Sequence, residues 1–435
     1  MRYLKSPSLN PAKRSQDVRD SVEAMLADIE RRREDAVIEY ARTLDGWEGD
    51  FTLSESKRAR LLAGVPREIR ADIDFAHKQI TRFAQAQRDS IREFELETEP
   101  GVRLGQRVIP VKSVGCYVPG GRFAHAASAL MSVATAKVAG VTNVTVCTPP
   151  RGDSINPAVA YAADRSGADL ILEMGGVQAI ATMVYGLFGC PPADMVVGPG
   201  NAYVAEAKRI LFGRVGIEVI AGPTESAIIA DEGADPMTIA IDLVSQAEHG
   251  YDSPVWLFTT SARVAEAVDR LIPKVAADLP NPEVALAAWR DYGAIVICDS
   301  REETVEVSDG YAPEHLQVLA DDLPWWTARL TCYGSLFLGE GSTVPQGDKC
   351  SGTNHILPTG RAGRYSGGLS ALGFLKVVTY QQLSPEANQQ FSAVASRISR
   401  LEGMEAHARA CDWRLRKYHP DAEQDFEVYP QVSYA

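Results

Sequence analysis

The sequence predicts an α/β protein with two blocks of parallel sheet and with helical segments at both ends of the chain. From about residue 105, short β-branched runs alternate with Ala-rich stretches at helical spacing, which is typical of βαβ units. A second set of such runs follows from about residue 227. Before residue 90 and after residue 375, apolar residues recur at helical spacing instead. Two α/β blocks in series predict a cleft between them, where small ligands commonly bind.

The N-terminal part contains three stretches of helical periodicity, at 18–29, 37–44 and 69–83. The segment from Gly46 to Thr52 is predicted to be a turn. The charged run ERRRED mixes both signs, which indicates a solvated helix face and not a nucleic-acid site.

The predicted strands are short apolar runs. Those of the first block lie at 114–118, 144–148, 170–172, 195–197 and 219–220. Those of the second block lie at 227–230, 255–259, 294–298 and 335–338. Helices are predicted between them, including 126–139 and 203–212. After residue 375 the chain is predicted to be helical, with one apolar face formed by Ile398, Leu401, Met404 and Ala408.

The stretch DPMTIAIDLVSQAEHG is predicted to be a helix with defined ends. Asp235 suits the N-cap, Pro236 suits the first helical position and Gly250 suits a left-handed stop. Gln246 and His249 are three residues apart on one edge of this helix, so their side chains can reach a common point. An amide oxygen and an imidazole form half of a metal site. The alternative is a histidine that interacts with the negative end of the helix dipole.

Composition and charge limit the class of protein. The 435 residues include 57 acidic and 44 basic side chains, and the net charge of −13 disfavours binding to nucleic acids or anionic membranes. The seven cysteines contain no CxxC pair, so neither a disulfide framework nor a Cys-type zinc site is expected. The chain starts without a signal-peptide pattern and has no apolar run of about 18 residues, so we expect a cytoplasmic protein that does not span a membrane.

Three glycine-rich turns follow predicted strands and form a candidate nucleotide site. They are YVPGGR at 117–122, GGVQ at 175–178 and GPGN at 198–201. Glycine lets the backbone approach a ligand closely, and a helix N-terminus after the turn favours an anion. None of the turns matches the dinucleotide fingerprint GxGxxG, and tight turns without a ligand are the alternative.

Glu314 and His315 are neighbours in the motif APEHL and form a candidate acid/base pair. Both groups titrate near neutrality once partly desolvated, which suits proton transfer; a chance pairing on the surface is the alternative. Asp348 lies in a polar Gly-rich loop, and His407 lies on the predicted C-terminal helix. Together with the amide and imidazole described above, they make a mixed N/O set of the kind that holds zinc or a similar divalent ion.

Six longer motifs occur in order over nearly the full chain. They are GCYVPGG at 115–121, GPGNA at 198–202, AGPTE at 221–225, SQAEHG at 245–250, APEHL at 312–316 and SGTNHILPT at 351–359. Together they resemble the motifs of the histidinol dehydrogenase family. The resemblance implies two Rossmann-like α/β domains of the aldehyde-dehydrogenase type. It also implies a zinc-dependent, NAD-linked, four-electron oxidation of a primary alcohol through an aldehyde to a carboxylate, in a homodimer whose C-terminal segment reaches the partner's site.

The resemblance implies a domain division and a role for each motif residue. It implies an N-terminal arm at 1–14, an α/β domain with the zinc and catalytic residues at 15–116 plus 224–370, an inserted NAD-binding domain at 117–223 and a C-terminal helical dimerisation segment at 371–435. The implied acid/base pair is Glu314 and His315, and the implied NAD contacts are Tyr117, Gln178 and Asn201. The implied zinc ligands are Gln246, His249, Asp348 and, from the other subunit, His407. The implied substrate contacts are Thr224, Gln246, His249, His315, His355 and Glu402. Lys349 is added to these candidates because of its charge and not because of the resemblance.

Two positions beside the expected metal depart from the biosynthetic pattern of the family. Thr224 stands where Ser is usual, and Lys349 follows Asp348 where an aromatic residue is common. Further segments resemble a branch of the family that oxidises 2,3-dihydroxypropane-1-sulfonate to sulfolactate: 325–326, 331–339, 364–370 and 399–409. A lysine ammonium suits a sulfonate, whereas histidinol brings its own cation. The expected reaction is therefore (R)-2,3-dihydroxypropane-1-sulfonate to (R)-3-sulfolactate. The alternatives are L-histidinol to L-histidine and the oxidation of another small polyol or amino alcohol.

Overall fold

We describe the chain from a computed structural model, which covers residues 1–8, 16–120, 124–219 and 222–421. The chain forms two compact units. The first consists of Met1–Asp89 and Pro110–Phe374, and the second consists of Ser90–Ile109 and the chain from Leu375 onward. The domain limits given above stay a prediction.

The regular elements are numbered in chain order. The described strands are β1 (Arg2–Lys5), β2 (Phe94–Glu99), β3 (Val102–Pro110), β4 (Ser113–Tyr117), β5 (Asn143–Thr148), β6 (Leu170–Glu173), β7 (Met195–Val197), β8 (Gly216–Ile217), β9 (Ser226–Ala230), β10 (Val255–Thr259), β11 (Ala294–Ile297), β12 (His315–Leu319), β13 (Ser335–Leu338) and β14 (Leu375–Leu383). The described α-helices are α1 (Gln16–Arg32), α2 (Glu34–Tyr40), α3 (Glu55–Gly64), α4 (Arg67–Asp89), α5 (Ala126–Ala139), α6 (Pro157–Arg165), α7 (Gly176–Tyr185), α8 (Ala202–Leu211), α9 (Pro236–Ala247), α10 (Ala262–Ala277), α11 (Pro282–Tyr292), α12 (Arg301–Tyr311), α13 (Leu323–Thr327), α14 (Val344–Lys349), α15 (Pro385–Leu401) and α16 (Glu405–Tyr418). None of these helices is both long and apolar enough to cross a membrane.

The first unit contains a fully parallel five-stranded sheet of order β6-β5-β4-β7-β8. Helices α5 and α6 pack together with α3 and α4, whereas α7 and α8 pack together with α1. Right-handed crossovers place these two groups on opposite faces, because the chain reverses its direction across the sheet after β6. The strand order reverses between β4 and β7, and the crevice at the carboxyl ends of such strands is the usual ligand site of this architecture.

The first unit also contains a six-stranded sheet of order β1-β11-β10-β9-β12-β13. Its strands are parallel except β1, which pairs antiparallel with β11. Ile228 and Ile229 are neighbours in β9 but belong to different apolar clusters, so both faces of the sheet are covered. This explains why the central strands β9, β10 and β11 are nearly continuous apolar runs. Part of the predicted N-terminal arm thus forms β1, and residues 9–14 lie outside the described residues.

The predicted α/β class and the helical ends are confirmed. Eight of the nine predicted strands are present to within a residue at either end. The strand predicted at 219–220 is wrong, because pairing with β7 is made by Gly216–Ile217 and ends before Val219; Ile220 lies outside the described residues. The expectation of helix directly after residue 375 is also wrong, since Leu375–Leu383 is a strand.

Helix α9 has the predicted start but a different end. The Asp235 side chain accepts hydrogen bonds from the N–H groups of the second and third helical residues, at 3.2 and 3.1 Å. Gly250 does not adopt the left-handed conformation, so the predicted glycine stop is wrong. The helix ends at Ala247 with Glu248 in the right-handed region, and the N–H of His249 donates to the carbonyl of Gln246 at 3.3 Å.

The second unit combines a small sheet with two C-terminal helices. Its strand order is β14-β3-β2, with β2 and β3 antiparallel. Helices α15 and α16 pack on each other, and Arg400 pairs with the buried carboxylate of Asp412 at 2.5 Å. The predicted single apolar face at 398–408 is wrong, because the chain breaks between two helices: Ile398 and Leu401 are on α15, Met404 precedes α16, and Ala408 is buried on α16. In the single chain Ile398, Leu401 and Met404 are 50, 66 and 48% exposed.

Candidate active site

The predicted acid/base pair lies at the amino edge of the six-stranded sheet. Glu314 precedes β12, and His315 is the first residue of that strand. Strand β12 runs parallel to β9 with His315 opposite Ser226, so Glu225 is the neighbouring residue at the same edge. Ligands of parallel sheets usually bind at the carboxyl edge, and this site is therefore on the less common side.

The backbone of Glu225 orients both side chains of the pair. Its N–H donates to Oε2 of Glu314 at 3.0 Å, and its carbonyl oxygen lies 3.1 Å from Nδ1 of His315. A carbonyl oxygen only accepts hydrogen bonds, so Nδ1 carries a proton, and Nε2 is the ring nitrogen that can accept whenever the imidazole is neutral. Within the described structure Nε2 is buried without a hydrogen-bond partner, 3.4 Å from Oδ1 of Asp348. The contact thus selects the ring nitrogen that can take a proton from a substrate.

Burial and neighbouring charges shift the titration of these groups. Burial raises the pKa of Glu314 above the ordinary carboxyl range. Burial lowers the pKa of His315, but the carboxylates of Glu314 and Asp348 outweigh this and raise it. Burial also opposes the charge of Asp348, yet the proximity of His315 lowers its pKa to about 2. Asp348 is therefore an anion at neutral pH, and Glu314 is the more basic carboxyl group.

A cavity of 640 Å³ in the first unit brings together five predicted metal and substrate residues. They are Gln246, His249, Asp348, Lys349 and His355. The cavity lies between α4, the start of α5, the end of α9 and α14. Its volume is in the range of small-molecule sites.

The side-chain oxygen of Gln246 indicates that these residues fit a metal ion. Its Oε1 is buried and accepts no hydrogen bond from the described residues, while its Nε2 donates to the hydroxyl of Ser245 at 3.2 Å. A buried amide oxygen without a partner is costly unless another group binds it. With the imidazole of His249 and the carboxylate of Asp348 in the same cavity, the donor set suits zinc or a similar divalent ion.

His355 holds the backbone of Asp348 in place. Its Nδ1 donates to the Asp348 carbonyl at 2.9 Å, and its Nε2 lies 2.9 Å from the hydroxyl of Ser128, from which it accepts. Burial lowers the pKa of His355, which favours this neutral form. Next to Asp348, the Lys349 side chain is exposed in the cavity and makes no hydrogen bond or ion pair with any residue that the structure describes.

The remaining predicted site residues lie elsewhere in the chain. His407 on α16 and Glu402 after α15 belong to the second unit, and Thr224 directly precedes Glu225 at the sheet edge. Among the described residues, no group of three or more His, Cys, Asp or Glu side chains is arranged to hold a metal ion. The first unit supplies two such side chains and the amide of Gln246, and the role of His407 stays a prediction.

The predicted NAD contacts lie at the carboxyl ends of the five-stranded sheet. Tyr117 ends β4, and its hydroxyl accepts from the N–H of Gly176 at 3.2 Å. Gln178 is buried and donates to Asp45 at 2.7 Å. The Asn201 side-chain oxygen caps α8, which leaves its amide nitrogen for a ligand. Tyr117 and Asn201 therefore lie beside the crevice between β4 and β7, and their contact with NAD stays a prediction. Residues 121–122 of the first glycine-rich turn lie outside the described residues.

Glu225 is a residue of the site that the sequence analysis did not assign. Its carboxyl group accepts from the N–H of Gly360 at 3.0 Å, its Oε2 has no partner in the described part of the chain, and burial raises its pKa to about 7. A repeated sequence pattern could have indicated Glu225. Like Glu314, it directly precedes a fully buried strand, and the two strands are neighbours in the sheet.

The fold and the buried carboxyl–imidazole pair define an α/β enzyme with an acid/base site on one sheet and a ligand crevice on the other. The chain belongs to the histidinol dehydrogenase family, whose model matches residues 9–415, and members of this family are dehydrogenases. The sulfopropanediol 3-dehydrogenase of Ruegeria pomeroyi is 53% identical over 426 residues, which cover 97% of this chain and 98% of that protein. A histidinol dehydrogenase homolog of the same organism is 53% identical over 425 residues, with the same coverage of both chains. The crystal structure of histidinol dehydrogenase from Elizabethkingia anophelis has a TM-score of 0.89 and 34% identity, and 94% of each chain is covered.

Proposed function

We propose that this chain catalyses the NAD-linked, zinc-dependent oxidation of a primary alcohol through an aldehyde to a carboxylate. The proposal is supported mainly by the hydrogen bonding of His315. Its Nδ1 donates to the Glu225 carbonyl, while its buried Nε2 lies beside Asp348 without a hydrogen bond in the described structure. Such an atom is suited to abstract a proton. The test is NADH formation by zinc-loaded protein offered 2,3-dihydroxypropane-1-sulfonate and histidinol separately. Formation of no NADH with either alcohol would contradict the proposal for these substrates.

Two groups that the chain would bind supply the redox chemistry. Gln246, His249 and Asp348 would hold the divalent ion, which supplies a Lewis acid to polarise the substrate oxygen. The crevice between β4 and β7 would hold NAD, which accepts hydride.

The side chains at the sheet edge would move the protons. His315 takes the hydroxyl proton at Nε2, while its Nδ1 bond to Glu225 keeps the ring oriented. Hydride then leaves the carbon, and the alcohol becomes an aldehyde. Glu314 takes a proton from the water that adds to the aldehyde, which gives a hydrate anion. After a second NAD has replaced the NADH formed first, this anion would pass the second hydride to it, and the resulting acid loses a proton to give the carboxylate. A buried carboxyl group with a raised pKa is the stronger base for this second task.

For the substrate we propose (R)-2,3-dihydroxypropane-1-sulfonate, which would give (R)-3-sulfolactate. The similarity to a sulfopropanediol 3-dehydrogenase supports this choice. The unpaired ammonium of Lys349 in the cavity supports it as well, because a protein with a net charge of −13 needs a local cation to attract an anion. L-Histidinol, oxidised to L-histidine, is the second candidate, since the chain belongs to that family.

Replacement of Lys349 by alanine is expected to lower kcat/KM for the sulfonate diol about ten- to a hundredfold, because a charge-assisted contact is removed. Activity on histidinol is expected to stay the same or to improve, because a like charge is removed. The measurement is kcat/KM of both enzymes on both alcohols, together with metal content, which should not change.

Lys274→Ala serves as the matched control for the Lys349 variant. Lys274 is an exposed lysine of α10 and does not line the cavity. Its removal changes the net charge equally and should leave both activities unchanged. An equal loss on both alcohols with Lys349→Ala, or no loss on either, would mean that other residues set the selectivity, and Arg361 and Arg364 would be tested next.

We propose further that the protein is a cytoplasmic homodimer in which His407 and Glu402 complete the site of the partner subunit. The exposed apolar side chains of Ile398 and Leu401 on α15, and of Met404 before α16, support an additional packing partner for this part of the chain. The seven cysteines are all unpaired, which fits a reducing compartment. The acidic net charge supports neither a nucleic-acid nor a membrane partner.

Mixing inactive His249→Ala and His407→Ala proteins is expected to restore activity. The two changes damage contributions of different subunits to one site, so each mixed dimer keeps one intact site, and equal mixing gives about a quarter of the wild-type sites. The measurement is turnover after subunit exchange, with exchange confirmed by differently tagged chains. No recovery in confirmed mixed dimers would show that His407 does not act across the interface.

A further inference from the structure

A buried ion pair lies behind the proposed NAD crevice. Lys208 on α8 contacts Glu218 after β8, with 2.5 Å between Nζ and Oε1. Their side chains are 2 and 1% exposed. The second carboxylate oxygen of Glu218 is also buried and has no hydrogen-bond partner among residues 1–8, 16–120, 124–219 and 222–421.

Both members of the pair bind the backbone of the same residue, Gly198, through the two peptide groups on either side of its Cα. The N–H of Gly198 donates to Oε1 of Glu218 at 2.7 Å, and Nζ of Lys208 donates to the Gly198 carbonyl at 3.1 Å. Gly198 is the first residue after β7 and opens the GPGN turn, which leads to the cap of α8. The pair therefore fixes the start of the turn that flanks the crevice between β4 and β7.

The conformation of Gly198 leaves little freedom for this turn. Its φ of +120° is one that other residues rarely adopt, and a Cβ added here would lie 2.0 Å from the carbonyl oxygen of Tyr117 at the end of β4. The backbone of Gly198 is thus confined between the end of β4 on one side and the ion pair on the other. A small displacement of the pair would change the width of the crevice at the point where the strand order reverses.

Stability does not account for a buried pair of this kind. Burying two charges costs desolvation that their attraction only partly offsets, and well-packed apolar side chains usually serve as well or better. We propose that Lys208 and Glu218 are positioning residues for NAD: they preform the Gly198 turn so that the dinucleotide binds without a prior rearrangement. This inference rests on the proposed NAD-linked function, and it names the two residues that would shape the cofactor site.

Two double variants separate positioning from packing. In Lys208→Met with Glu218→Gln, the amide oxygen still accepts from the Gly198 N–H, and only the carbonyl contact is lost. In Lys208→Met with Glu218→Leu, both contacts are lost. Both variants are free of an unpaired buried charge, which would threaten folding in either single variant.

The dissociation constant for NAD, measured by calorimetry on the full chain, is expected to rise in steps. We expect an increase of at least about tenfold for the Met/Leu variant and a smaller increase for the Met/Gln variant. Zinc content is expected to stay at the wild-type level, because the proposed ligands Gln246, His249 and Asp348 do not contact the ion pair and lie next to the six-stranded sheet. The matched control is Lys137→Met, since Lys137 also joins a carboxylate, Asp169, to a backbone carbonyl in the same sheet region but does not contact Gly198. Its NAD affinity should equal that of the wild type.

Hydrogen exchange of the wild-type protein tests the proposal independently, even if the double variants do not fold. The N–H of Gly198, which Glu218 binds, is expected to exchange as slowly without NAD as with it, because the turn is preformed. Slowing of more than about tenfold on NAD addition would overturn the proposal. Wild-type NAD affinity in both double variants would also overturn it, while leaving the NAD-linked function intact. Absence of NAD binding to the wild-type protein would instead overturn the proposed function and this inference together.

Discussion

Replacement of His315 by alanine is expected to lower kcat by about 10²- to 10⁴-fold, the usual contribution of a general base, without changing NAD affinity or metal content. The Glu225 carbonyl commits Nδ1, so Nε2 is the proton acceptor that the substitution removes. His355 cannot replace it, because its ring nitrogens are used by Ser128 and by the backbone of Asp348.

The experiment compares turnover, NAD binding and zinc content of the wild type and of His315→Ala. A matched control is His77→Ala, because His77 is a partly buried imidazole on α4 that does not line the cavity. That variant should keep wild-type kcat. A His315→Ala enzyme that also keeps wild-type kcat would show that another group accepts the proton.

Local sequence signals predicted the helices and most strands well, because their causes are local. The start of α9 is an example: Asp235 and Pro236 are a capping residue and a first-turn residue, and the structure uses them as such. Its end shows the limit of the same rules. A glycine at 250 permits a left-handed stop but does not require one, and the helix ends earlier.

Three further strands were not predicted, for different reasons. Strand β2 (FELETE) alternates apolar residues with glutamates, but it is only six residues long and exposed along its whole length, and its regular pairing is with β3 alone. Strand β12 begins with the polar His315 and is buried throughout, because it lies between β9 and β13. Strand β14 contains a run of β-branched residues and was predictable; the helical pattern after it was extended too far towards the N-terminus.

The sequence could name most of the residues that meet at the candidate site, but neither Glu225 nor the geometry of the site could be predicted from it. Gln246 and His249 are close in sequence, and the turn that follows α9 leaves both side chains in the same cavity. Asp348 comes from a distant segment, and only the packing of α14 at this edge places it beside His315. The contact between Glu225 and the acid/base pair depends on the pairing of β9 with β12, which no local pattern specifies. Family resemblance identified the residues, and the tertiary fold determined which atoms remain available.

Replacement of Glu314 by glutamine is expected to separate the two oxidation steps. The first oxidation uses His315, which the substitution leaves in place, whereas addition of water to the aldehyde needs the Glu314 carboxylate as a base. The aldehyde step should therefore slow by about 10²- to 10⁴-fold, and the NADH formed per alcohol should fall from about two towards one. Glutamine keeps the side-chain oxygen that accepts from the Glu225 N–H, so the backbone arrangement should persist.

Single-turnover NADH yields and trapping of the released aldehyde with a hydrazine measure this separation directly. The pH dependence gives a second reading. Burial raises the pKa of Glu314, so its carboxylate form predominates only at higher pH, and wild-type oxidation of the isolated aldehyde should accelerate as pH rises through that range and slow as pH falls. Glu314→Gln should lose this acceleration.

The control is Glu340→Gln, which changes an exposed carboxyl group after β13 that does not line the cavity. Formation of two NADH per alcohol at the wild-type rate by Glu314→Gln would assign the activation of water to another group, and Glu225, the other buried carboxyl group at this edge, would be the next to test.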